Sequence, residues 1–100
     1  MSTPDADEQL RQVVSRLASR HGCVWAGIYF VEDDGLLLGP EAGTPDPERR
    51  TAVPVLWRGT RVADLAADGE VGRADLEPIA ATIGELCLVG WDTGGEAWES

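Results

Sequence analysis

The residues able to do chemistry in this 100-residue chain are few. Cys23 and Cys87 are its two cysteines, no C-x-x-C occurs, and His21 is the lone histidine. One histidine and two separated thiols exclude a zinc site of the usual spacing. In a reducing compartment both thiols read as small buried apolar groups rather than a disulfide or redox pair. His21 invites a general-base or pH-switch reading. No nucleophile stands at a known spacing from it, and beside Gly22 it reads instead as a helix-end residue near the last carbonyls. Glu32-Asp33-Asp34 resembles no calcium loop and reads as a solvated turn. Arg49-Arg50 has the form of an anion clamp. In a chain this acidic, neutralising nearby carboxylates is the plainer role. Trp25 and Tyr29 alternate onto one side of an apolar segment and either line an aromatic pocket or belong to ordinary core. Asp64 interrupts another apolar segment, so it binds a ligand group or partner arginine, or its side meets solvent. No glycine-rich phosphate loop, Ser/His/Asp set or paired-carboxylate pattern stands out, and these residues alone name no reaction.

The charge is lopsided. Eighteen acids oppose eight bases, for a net charge of −10. Such a surface repels phosphate backbones and anionic bilayers, so neither nucleic acid nor membrane is an expected partner. No apolar run approaches the ~20 residues of a membrane span, and no basic leader precedes an apolar segment, so the expected location is the cytoplasm. A 43% apolar composition is that of a folded protein. The length suits one domain, placed at residues 1–90, with 91–100 as a flexible tail of turn composition. At this size the core is marginal, and a partner subunit would help.

The elements that position these residues follow in order. Thr3, Pro4 and the acids after them open a helix over residues 4–21, with Leu10, Val13, Val14 and Leu17 on one stripe and Gly22 beyond its end. Cys23–Val31 and Leu36–Gly43 form a hairpin around Asp34-Gly35. Strict alternation places Val24, Ala26, Ile28 and Phe30 on one face, and Cys23, Trp25, Gly27, Tyr29 and Val31 on the other. Two prolines mark residues 44–50 as a loop. Thr51–Trp57, an edge or bulged strand because of Pro54, turns at Arg58-Gly59 into a fourth strand, Arg61–Ala66. Residues 67–73 connect to a last helix capped by Asp75, with Pro78 in its first turn. Its stripe is Leu76, Ile79, Ala80, Ile83, Leu86 and Cys87, and it ends near Gly90.

Trp25-x-Gly27-Ile-Tyr-Phe-Val31, then Leu36-x-Leu38-Gly39-Pro40-x-x-Gly43, resembles the opening hairpin of a GAF domain. Val53-Pro54-Val55, Arg58-Gly59 and Val62-Ala63-Asp64-Leu65 resemble the closing hairpin. The likeness spans about residues 5–90, and its nearest flavour is the subgroup that includes free methionine-(R)-sulfoxide reductase. It implies an α+β, GAF/profilin-like fold: a four-stranded antiparallel sheet, order 2-1-4-3, with the N- and C-terminal helices on one face. The segment that in this family roofs the other face, and in the reductase carries the catalytic cysteines, is reduced here to seven residues between Gly43 and Thr51.

Without that segment no catalytic cysteine carries over. The expectation is therefore a non-enzymatic sensory or dimerisation module without a cofactor or metal. Its bare face, bearing Trp25, Tyr29 and Trp57, would be covered by a second copy in a homodimer or by the tail. The alternative is a small-molecule pocket lined by Trp25, Tyr29, Asp64 and Trp57. The remotest reading is a sulfoxide reductase-type enzyme, whose signature would be turnover that vanishes on Cys87→Ser.

Overall fold

The computed structural model describes residues 6–32 and 35–90. Helix α1 (Ala6–Ala18) leads into β1 (Cys23–Glu32), β2 (Gly35–Gly43), a single 3-10 turn (Pro47–Arg49), β3 (Arg50–Trp57) and β4 (Thr60–Gly69). Helices α2 (Arg73–Ala80) and α3 (Gly84–Gly90) close the chain. The strands form one antiparallel sheet in the order β2-β1-β4-β3. This is the order that the resemblance implies.

The helices lie on one face of the sheet because their apolar stripes have one surface to bury against. Leu10, Val14 and Leu17 of α1, Leu76 and Ala80 of α2, and Ile83 and Cys87 around α3 share a core with Ala26, Ile28, Phe30, Val53, Val55, Ala63, Leu65 and Ala67. Each fully buried Leu or Ile contributes about 1.5–3 kcal/mol relative to an exposed one. Both central strands are covered here, which accounts for their dense apolar runs.

The expected pattern is altered in four places. A register shift between Cys23 and Trp25 turns Cys23 into the helix-side core and leaves Val24 exposed, so Cys23 does not share the face of Trp25. One slipped residue inverts every side chain before it. β4 runs on to Gly69, three residues past its expected end, and carries Asp68 into the sheet. The last helix is two helices broken at residues 81–83, and Thr82 Oγ1 donates to the Ile79 carbonyl at 2.8 Å in the break. Gly72 is the N-cap of α2, and Asp75 accepts its amide at 3.0 Å from the third helical position. Pro78 is therefore inside the helix, two residues before its end, where the lost ladder bond helps to terminate it. The Asp33-Asp34 turn and the tail at 91–100 with Trp91 and Trp98 lie outside the described residues, as does the helix start at Thr3.

Candidate functional site

The sheet face opposite the helices is built from alternate residues of each strand. Trp25 of β1 stands opposite Asp68 of β4, which stands opposite Arg50 of β3. Four residues along, Tyr29 pairs with Asp64 and Asp64 with Pro54. Between these rows lie Gly27, Ala66 and Ala52, small residues that leave room for larger side chains to fold across the face. The Trp25 ring folds over Gly27, where a Cβ would collide with its six-membered ring.

Arg50 is the centre of this face. Its Nε donates to Asp68 Oδ1 at 2.7 Å and its Nη2 to Asp68 Oδ2 at 2.9 Å, a two-pronged ion pair. Its Nη1 donates to the Tyr29 hydroxyl at 3.0 Å. Its guanidinium carbon lies 4.2 Å from the Trp25 ring centroid, a cation–π stack. Trp25 Nε1 donates to Glu41 Oε1 at 2.9 Å. Asp68 also accepts the Asp46 amide at 2.7 Å, which ties the 44–50 loop down beside the site. Residues 44–50 thus fold as a short strap, with one 3-10 turn, rather than a featureless loop.

Asp68 is 0% exposed and Trp25 1%, while the Arg50 side chain keeps 25% of its surface. Burial pushes the Asp68 carboxyl up. The hydrogen bonds from Arg50 and the Asp46 amide, with the Arg50 charge, outweigh it and hold the group below the usual carboxylate range. The Asp68 hydrogen bonds in turn raise Arg50 against its own desolvation.

The sequence candidates are only partly assembled. Trp25 and Tyr29 come together, with ring centroids 6.4 Å apart. Trp25 is not the open floor expected of it, because Arg50 and Glu41 cover it. Asp64 lies beside Tyr29 but is held by Arg61, whose Nε and Nη2 donate at 2.9 and 2.6 Å. A shallow hollow of about 320 Å³ opens beside it, lined by Ala52, Pro54, Arg61 and Asp64. Trp57 sits at the far tip of β3, seven residues from Arg50, or about 23 Å at ~3.3 Å per residue. There it stacks on Arg58 and takes no part in the site. Arg49 and Arg50 do not form one clamp: Arg49 lies within 3.6 Å of Asp46 and 3.9 Å of Glu70, so both arginines neutralise carboxylates.

Both cysteines are free and buried on the helix side of the sheet. Cys23 Sγ donates to the Trp25 carbonyl at 3.3 Å. Burial pushes the Cys87 thiol up to about 12, which leaves it protonated and unreactive near neutrality. Cys87 is thus unsuited to the nucleophile's role that the remotest sequence reading gave it. Among the described residues, no helix is long and apolar enough to cross a membrane.

No family model matches the sequence, and no curated protein is similar to it. Solved structures do match the fold. One is the type II free methionine-R-sulfoxide reductase from Thermoplasma acidophilum, at a TM-score of 0.71 and 16% identity, over 83% of this chain and 92% of that one. Another is the free methionine-R-sulfoxide reductase of Staphylococcus aureus in complex with substrate, at a TM-score of 0.52 and 15% identity, over 87% and 99% of the two chains. These neighbours are enzymes, which overturns the expectation of a non-enzymatic sensory or dimerisation module. The chain has a GAF-like α+β fold, and it resembles the free methionine sulfoxide reductases in architecture.

Proposed function

We propose that this domain is a sulfoxide reductase-type enzyme acting on a small free sulfoxide of the methionine class, bound over the face that carries Trp25, Tyr29 and Arg50. The fold that it shares with two reductases supports the reaction class. The single observation that carries the site is the Tyr29 hydroxyl. It accepts from Arg50 Nη1 and donates to no acceptor among the described residues, so its proton can serve an acceptor lying over the face. A sulfoxide oxygen is such an acceptor. A proton shared with that oxygen as it leaves makes sulfur open to attack by a thiol, and general acid assistance of this kind supplies about 100-fold or more. The apolar side of the substrate rests on the half-buried Tyr29 ring, beside the Arg50 head that covers Trp25.

The reductant is an external thiol pair. Cys23 and Cys87 face the helices, away from Trp25 and Tyr29. The balance is one sulfoxide and two thiols giving one sulfide, one disulfide and one water. The first thiolate attacks sulfur as the S–O bond breaks, the oxygen leaves as water, and the second thiol displaces the sulfide from the first.

The test is turnover of free methionine-R-sulfoxide with dithiothreitol. Wild type and Cys23→Ser/Cys87→Ser turn over alike, and Tyr29→Phe loses about 100-fold in kcat. Absence of turnover in the wild type overturns the function. Loss of turnover in the cysteine-free variant overturns the external reductant.

A further inference from the structure

We infer that Arg50 determines specificity at this face by holding the carboxylate of a free amino-acid ligand, while Glu41 faces its ammonium group. The inference deepens the proposed function and rests on it for the identity of the side chain, but not for the zwitterion itself.

A guanidinium carries five N–H donors. Three are used in the network with Asp68 and Tyr29. One on each terminal nitrogen has no partner among the described residues. The head is pinned by its stack on Trp25 and its pair with Asp68, so these two donors are already ordered and a ligand bears little entropic cost in using them. A planar carboxylate matches such a fork.

The surroundings choose among carboxylates. Glu41, paired with Gly27 and therefore on the same face, accepts from Trp25 Nε1 at Oε1, while its Oε2 has no partner among the described residues. Asp64 lies along the same face, and the chain as a whole carries −10. A simple anion would be repelled by these charges, whereas a zwitterion answers both signs. A peptide-bound residue has neither free terminus, so the pair of contacts selects a free amino acid over a peptide.

The experiment compares ligands that differ only at the carboxylate. Calorimetric titration of the intact chain with L-methionine and with L-methionine methyl ester gives at least tenfold weaker binding of the ester. Turnover of the two corresponding sulfoxides gives a raised KM for the ester with little change in kcat. Arg50→Lys, which keeps the charge and loses the fork, weakens methionine about tenfold and leaves the ester unchanged. If that variant does not fold, the ligand pair on the wild type still decides. Equal binding of acid and ester, or binding of neither, overturns the carboxylate clamp. Preference for the acid without any sulfoxide turnover upholds the clamp and refutes the proposed reaction. Turnover with equal KM for both does the reverse.

Discussion

Replacing Arg50 with methionine removes the counter-charge of a carboxylate with 0% exposure. Removing one partner of a buried ion pair costs about 3–5 kcal/mol, because the other charge stays behind unpaired. The Asp46 amide still donates to Asp68, and the methionine still covers Trp25, so about 3 kcal/mol is the expected loss at pH 7. For a domain of this size that is a fall in Tm of about 12–24 °C. The pH dependence identifies the cause. In the wild type Asp68 lies below its ordinary value. The unfolded chain, near ~3.9, therefore binds the proton first, and the pair's contribution is present above that value and lost as pH falls through the folded one. In Arg50→Met, burial dominates and raises the folded value, so the sign reverses and stability declines as pH rises toward neutrality. The gap between the two proteins thus narrows steadily as pH falls below the ordinary carboxylate range, and closes once the folded wild-type Asp68 is itself protonated. Urea unfolding followed by circular dichroism from pH 3 to 7 measures it. A gap below about 1 kcal/mol at pH 7, or one that does not change with pH, refutes the claim that Asp68 is a buried charge held by Arg50. Adding Asp68→Asn to Arg50→Met recovers most of the loss, since the orphaned charge is gone.

Three further outcomes are expected. Cys87, with its thiol near 12, resists iodoacetamide in the native protein at pH 8, where about one molecule in 10⁴ is thiolate; rapid labelling at that position by mass spectrometry would contradict its burial. Gly27→Ala drives a Cβ into the Trp25 ring and costs about 1–3 kcal/mol, with loss of near-ultraviolet dichroism from Trp25; an unchanged spectrum and stability would show that the ring does not lie there. Leu36 and Leu38, 49% and 37% exposed on β2 beside Val31, form an apolar strip along a strand edge that has no partner strand among the described residues, and we propose that it pairs two copies weakly. Sedimentation then shows self-association at high micromolar concentration that Leu36→Lys/Leu38→Lys abolishes, and a monomer throughout would contradict it.

Much of the fold was legible because each element carries its own local signal. The Arg58-Gly59 turn, the edge strand marked by Pro54 and the α1 stripe all rest on interactions within a few residues. The site was less legible because it depends on pairing across the sheet. Ala67-Asp68-Gly69 has the composition of a turn, and an acid at a buried position breaks the apolar pattern of a strand. An arginine 18 residues away and an amide 22 residues away make Asp68 tolerable there. One signal was present: Asp64 and Asp68 are four apart in an otherwise apolar run, which puts both on one face of an extended strand. The bulge after Cys23 had no such signal, and it alone moved Cys23 across the sheet. Trp25 is roofed by one guanidinium at the end of a short strap rather than by a long insertion, and no local pattern marks that contact.

The most direct measurement is the dithiothreitol-dependent conversion of free methionine-R-sulfoxide to methionine by the cysteine-free chain. The proposed site at Tyr29 and Arg50 predicts methionine and oxidised dithiothreitol in equal amounts, at a rate matching the wild type. No methionine from either protein, with both folded, would contradict it.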